Sequence, residues 1–423
     1  MNTAFSVSTF TWLFLAALAL TVATRLWLAA RQSSHVRAHR DAVPESFADA
    51  IPLAAHQKAA DYTVAKVGLG RADLLVDVAV LLALTLGGLL QLFADQWGRA
   101  FPPDSLLHGT ALILSVFVLQ GVAGIPLSLY ATFVIEARFG FNKMTWRLYL
   151  LDMLKSTALA AALGIPLLLF VLWLMQAAGA LWWLYVWAAL VAYSLLLQFI
   201  APRFIMPLFN KFSPLEDPAL VERVQRLLDR CGYRSRGLYV MDGSKRSAHG
   251  NAFFSGFGAT KRIVLFDTLI DRLQPAEVEA VLAHELGHFK LRHIIKGMLL
   301  GWMATLALLF ALGLLVDKQW FYAGLGVETP SLAMALVLFM LVAPVFLYFT
   351  QPLTKIFSRK NEFEADAFAT RHAKAEDLIH ALVKLYRDNA STLTPDPLHS
   401  AFYDSHPPAA TRIARLRGAL EAT

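Results

Sequence analysis

Two imidazoles four residues apart, with a carboxylate beside the first, give this chain its clearest chemical grouping: His284, Glu285 and His288. On a helix, positions i and i+4 share a face, so His284 and His288 can grip one metal ion. Glu285 then sits where it can take a proton from a water that the ion holds. The expected chemistry is metal-assisted hydrolysis, with one zinc ion as cofactor and Glu285 as the base. The single cysteine, Cys231, rules out an internal disulfide framework and thiolate ligation, which leaves histidine and carboxylate as donors.

The stretch from Gln274 to His293 reads as the helix that carries these groups. Pro275 suits its first turn, and Glu277 and Glu279 complement the positive end of its dipole. Val278, Leu282, Leu286 and Phe289 recur at helical spacing and supply a face to bury. Two histidines leave a catalytic zinc one protein ligand short. His293 lies about 140° round a regular helix from His288 and is expected at a membrane interface rather than on the metal. The glycine turn that would return a third histidine is also absent, because Leu291 and Ile294 occupy its positions. Further on, Ser358 to Ala369 reads as a second helix, on which Glu362 and Asp366 fall one turn apart on one face while Glu364 points elsewhere. Glu362 is assigned as the third ligand, and Asp366 as a carboxylate that orients a ligating imidazole.

The scaffold for these helices is a membrane protein. At 423 residues, 57% hydrophobic and only 16% charged, the chain is too apolar for a soluble globular protein of its size. Its net charge of +7 resides in basic residues beside apolar runs, not in a stripe interleaved with exposed aromatics, so nucleic acid is not expected as a partner and the lipid bilayer is. Spans are expected at about 8–30, 72–93, 106–135, 151–177, 181–201, 294–316 and 331–350, seven in all. The first lacks a basic leader and a small-residue cleavage site, and is expected to be a retained helix. Arg31, Arg37, Arg40, Lys58, Lys66, Arg71, Arg138, Lys143 and Arg147 fall in connections of one parity, whereas Arg99 and Lys318 alone fall in the other. The N-terminus is therefore expected outside and the polar C-terminal half in the cytoplasm. Asp73, Asp77, His108 and Glu136 interrupt the spans, which leaves open a water-filled interior or a position at the interfaces. Arg25 is expected to snorkel.

The chain divides into a bundle of spans 1–5 over residues 1–201, a first polar piece over 202–293, spans 6 and 7 over 294–350, and a second polar piece over 351–423. Leu238–Met241, Asn251–Phe254 and Arg262–Phe266 read as strands of a small sheet, with Gly256–Gly258 as a turn. The fold class is thus mainly α, a multi-span membrane protein whose small β-sheet and helices form a zinc hydrolase domain on the cytoplasmic side.

Several stretches together resemble the type I CAAX prenyl proteases, integral-membrane zinc endopeptidases. They are His284-Glu-Leu-Gly-His288, Asn361-Glu-Phe-Glu-Ala-Asp366, Glu136-Ala-Arg-Phe-Gly-Phe-Asn-Lys-Met-Thr145, Pro207-Leu-Phe-Asn-Lys-Phe212, His249-Gly-Asn-Ala-Phe-Phe254 and Ser405-His-Pro-Pro408. The resemblance covers nearly the whole chain. It implies that Asn251 and Ala252 lie on an edge strand that pairs with an extended substrate. His406 is implied near the scissile carbonyl, with Arg412 supporting that site. It further implies helices around a large hydrated chamber, and a peptide or protein substrate whose C-terminus is of the CAAX type, prenylated in that family. The alternative is a membrane quality-control zinc protease with broad, non-lipidated substrates, although the related heat-shock proteases are shorter and have fewer spans. The short loops favour a bacterial inner membrane, where the substrate need carry no lipid; a eukaryotic source would place the chain in the endoplasmic reticulum.

Overall fold

The computed structural model describes residues 6–233, 237–255 and 262–421. Among these, six helices are long and apolar enough to cross a membrane: Val7–Ala38, Leu106–Glu136, Trp146–Ala177, Gly179–Phe209, His293–Leu315 and the run beginning at Leu332. A seventh span results when Leu53–Leu84 and Leu89–Gly98, bent by 52° at their junction, are taken as one. The expected span at 72–93 therefore crosses a break, where Gly88 adopts φ 77°. Glycine enters that left-handed region without the steric penalty a Cβ brings. Several helices overshoot their expected apolar cores. Val7–Ala38 has 32 residues, about 48 Å of helix against a hydrocarbon layer of about 30 Å. Its last turns therefore carry Arg31, Gln32 and His35 out toward the polar half.

Large apolar side chains such as Trp12, Leu154, Phe199, Met303 and Leu353 are exposed on these helices. So many on one molecule describe a lipid-facing belt. Among the described residues two large cores lie within, beside a smaller cluster around Tyr62, Ile135 and Phe141. One, built on Phe14, Leu84, Leu112, Val186, Leu312 and Leu338, holds the spans together. The other gathers Val224, Ile263, Leu265, Val278, Leu282, Leu286 and Ile413 from the polar segments, and Phe47 and Ile51 join it from the connection between the first two spans.

The interrupting polar residues fall into two groups. Arg25, Asp73 and Asp77 line a cavity of about 390 Å³ inside the bundle with Thr21, Gln120, Gln351 and Tyr403. His108 and Glu136 instead meet protein partners: His108 Nε2 lies 2.9 Å from the Ala94 carbonyl, and Glu136 accepts the Tyr62 hydroxyl.

The sheet has four strands in the order β1-β2-β4-β3, where β1 is Phe212–Pro214, β2 is Leu238–Met241, β3 is Ala252–Ser255 and β4 is Arg262–Phe266. β2 and β4 run parallel, whereas β1 and β3 pair antiparallel with them. Three of the strands match the expected stretches to within a residue. β1, three residues long and ending in proline, carries too little alternation to read from sequence. The expected turn at 256–258 lies outside the described residues. β3 is an edge strand and packs beside the His-Glu helix.

Candidate active site and metal centre

The His-Glu helix spans Pro275–Lys290, shorter than the expected 274–293. Gln274 and Glu277 form a capping box at its start, each satisfying a backbone N–H that the first turn leaves over. Glu277 and Glu279 do more than complement the dipole. Both are buried, Glu277 pairing with Lys384 at 2.7 Å and Glu279 with Arg223 and Arg230 at 2.6 and 2.5 Å. Val278, Leu282 and Leu286 are fully buried, as the periodicity predicts, and turn the opposite face toward the helix Gln351–His372. The two helices meet where Gly287 lies against Ala365. A Cβ on Gly287 would sit 3.0 Å from the Ala365 Cα and 3.1 Å from its carbonyl oxygen. Only glycine permits this approach without displacing one helix.

That contact brings three ligand-type atoms together from segments separated by two membrane spans. One donor each from His284, His288 and Glu362 lies within 4.8 Å of the other two. The two Nε2 atoms face each other at 3.2 Å, and the Glu362 carboxylate stands 3.5 Å from His284 Nε2 and 3.2 Å from His288 Nε2. Glu362 Oε2 is buried without a hydrogen-bond partner among the protein atoms. An orphaned carboxylate oxygen beside two converging imidazole nitrogens fits a divalent cation, and two nitrogens with one oxygen suit zinc with a position left open.

Behind the three donors stands a second layer. Asp366 accepts from His284 Nδ1 at 2.9 Å, which fixes the tautomer with the Nε2 lone pair toward the site. Arg412, itself 5% exposed, donates to both Asp366 oxygens at 2.9 and 2.6 Å and reaches within 3.5 Å of Glu362. Burial by itself would push the His284 imidazole down, but Asp366 and Glu362 outweigh it and raise the group to about 9. A metal would therefore displace a proton there. Burial pushes the Glu285 carboxyl up, the main influence on it, which brings a carboxylate toward the range where it exchanges protons near neutrality.

His406 Nε2 lies 3.4 Å from Glu362 Oε1, with more than half of its side chain exposed. Arg359 fixes the loop that carries it by donating to the carbonyls of Ser400 and Asp404 at 3.2 and 3.1 Å. Arg412, implied by the resemblance to support the site, has its contacts there with Asp366, Glu362 and His284. Asn251 is exposed and Ala252 buried at the start of edge strand β3.

Three groups were missed or misjudged from sequence. His293, at the start of the sixth span, is 5% exposed and lies against His288, and Glu364 faces it, contacts that its spacing did not suggest. The loop leading into β3 is held by membrane helices, since Arg246 pairs with Asp152 at 2.7 Å and His249 reaches Glu136 at 3.5 Å. The stretch Ala131–Glu136 is a π-turn, which presents Glu136 to that loop. A carboxylate ending a span was the only sequence signal for this clamp.

Six or seven candidate spans together with a two-histidine, one-carboxylate site on the polar helices define a membrane-embedded metallopeptidase. Comparison with known proteins agrees. Residues 32–211 match the family described as CAAX prenyl protease N-terminal, five membrane helices, and residues 214–420 match peptidase family M48. A CAAX prenyl protease 1 homolog from Arabidopsis thaliana is 37% identical over 318 residues, 75% of each chain. CAAX prenyl protease 1 of Saccharomyces cerevisiae is 37% identical over 70% of this chain and 69% of its own, and the Homo sapiens homolog is 31% identical over 75% of each. The crystal structure of S. mikatae Ste24p superposes with a TM-score of 0.89 at 30% identity, covering 96% of this chain and 99% of that one. The chain belongs to the CAAX prenyl protease 1 family of M48 metallopeptidases.

Proposed function

We propose that this protein is a zinc endopeptidase that hydrolyses peptide bonds near the C-terminus of CAAX-type proteins, with His284, His288 and Glu362 as the metal ligands. The convergence of these three donors around the orphaned Glu362 oxygen carries the reading. When bound, zinc supplies Lewis-acid polarisation of the scissile carbonyl and acidifies a water. The chain's own groups do the rest. Asp366, locked by Arg412, keeps the His284 lone pair directed at the metal position. Glu285 takes a proton from the attacking water and passes it to the leaving nitrogen. His406 donates to the carbonyl oxygen as charge develops there. Asn251 and Ala252 present the open side of β3 to an extended peptide, adding it to the sheet as a further strand.

The catalytic unit consists of residues 202–293 and 351–423 and faces the cytoplasm. The basic residues clustered on one side of the spans support this orientation, and Lys290, Arg292 and Lys296 beside the sixth span belong to that cluster. A purified Glu285→Gln variant should keep stoichiometric zinc by metal analysis and lose cleavage by at least about 100-fold, the usual scale of a general base. Unchanged cleavage would sink the assignment. Parallel assays with a farnesylated CAAX peptide and its unlipidated counterpart test the substrate. Faster cleavage of the lipidated peptide supports the CAAX reading, and equal rates support the quality-control alternative.

A further inference from the structure

We propose that His293 and Glu364 form a relay that positions His288, so that each ligating imidazole of the site is held from behind by a carboxylate. The inference rests on the metal-binding reading of His284, His288 and Glu362. The His-Glu helix stops at Lys290, and Arg292 then adopts φ 59°. A non-glycine residue in the left-handed region is uncommon and tends to occur where function fixes the backbone. The turn reverses the chain, and His293, first residue of the sixth span, swings back under the site. Its Nδ1 lies 3.1 Å from His288 Nδ1, and its Nε2 lies 3.1 Å from Glu364 Oε2.

Proton counting gives this chain one direction. His288 Nε2 faces His284 Nε2 and Glu362 at 3.2 Å each, so as a ligand it must offer a lone pair there. Neutral His288 then carries its proton on Nδ1 and donates it to His293 Nδ1. His293 must in turn carry its own proton on Nε2, where it donates to Glu364. Each ring has one proton and each proton has an acceptor. The reverse direction would put a proton on His288 Nε2, facing the other ligands, and would set the Glu364 carboxylate against a bare nitrogen lone pair. One helix thus supplies three carboxylates with distinct tasks: Glu362 toward the metal position, Asp366 behind His284 at 2.9 Å, and Glu364 behind His288 through His293.

The test is zinc affinity of the full-length detergent-purified protein, measured with zinc alone against a chromophoric chelator. His293→Leu should weaken zinc by about 10–100-fold, the usual effect of removing such a partner. His293→Gln keeps an acceptor for His288 and a donor for Glu364, and should recover most of that loss, which a purely structural role would not predict. Glu364→Ala alters a side chain that is one-third exposed. It should weaken zinc while leaving the metal-free thermal midpoint unchanged, and the double variant should bind no more weakly than His293→Leu alone. Unchanged zinc affinity in His293→Leu and Glu364→Ala, or fully additive losses, would overturn the relay. Should His293→Leu fail to fold, Glu364→Ala decides alone. A parent protein that holds no zinc would overturn the metalloprotease reading and the relay together.

Discussion

Arg412 contacts the carboxylates at and behind the candidate metal position. Its fork closes on Asp366 in a buried setting, so removing it leaves that charge with His284 alone as partner. Arg412→Ala should lower the thermal midpoint by an amount equivalent to about 3–5 kcal/mol, the scale for breaking a buried pair. Arg412→Lys keeps the charge but loses the two-pronged geometry, and should recover only part of it. Calorimetry on the metal-free protein checks both. Asp366→Asn should keep its shape and weaken zinc by about 10–100-fold, measured by chelator competition. At this scale the sequence shows residues whose meaning lies in spacing. His284, Glu285 and His288 are legible alone, and Glu362 with Asp366 becomes so once a third ligand is required. Asn251, His406 and Arg412 are single residues in loops or a polar helix, visible only through family resemblance. The contact of His293 with His288 was not legible, because its angle was reckoned on a regular helix, which Arg292 interrupts.

Among the elements, the contact between the His-Glu helix and Gln351–His372 determines whether the site exists. Gly287 sets their separation. Gly287→Ala inserts a methyl group against backbone atoms at 3.0–3.1 Å, which those atoms relieve only by moving a helix. Although alanine favours the helix by up to about 1 kcal/mol, the variant should bind zinc more weakly and cleave more slowly. A variant as active and as zinc-tight as the parent would contradict the account. Helices and strands of ordinary length were legible from periodicity, but their breaks were not. The bend at Gly88 and the π-turn before Glu136 leave apolar composition unchanged, so hydropathy runs straight through them.

Across the whole molecule, the first helix and the last polar piece are tied by one buried carboxylate. Asp396 pairs with Arg31 at 2.8 Å and accepts the backbone N–H groups of Leu398 and His399 as the cap of its helix. Burial would push its carboxyl up, but the His399 N–H and Arg31 outweigh that and hold it below the ordinary value. Its stabilisation is therefore present above the unfolded carboxylate range, about pH 4, and is lost as pH falls through the lower folded value. Asp396→Ala should cost about 1–2 kcal/mol as a lost cap. The gap in thermal midpoint between parent and Asp396→Asn should begin to narrow below about pH 4 and close only below the lower folded value. Composition revealed a membrane half and a polar half, but not that Phe47, between the first two spans, packs in the polar core, because no local pattern encodes so distant a contact. The order of the site's residues along the chain bears on biosynthesis. Glu285 and the two histidines are synthesised before the sixth span, whereas Glu362, Asp366, His406 and Arg412 come only after the seventh. A nascent chain paused before those last segments holds the proposed base and two of the three proposed ligands without the third, so on this reading a protease made beside other growing polypeptides stays inactive until its own synthesis is nearly finished.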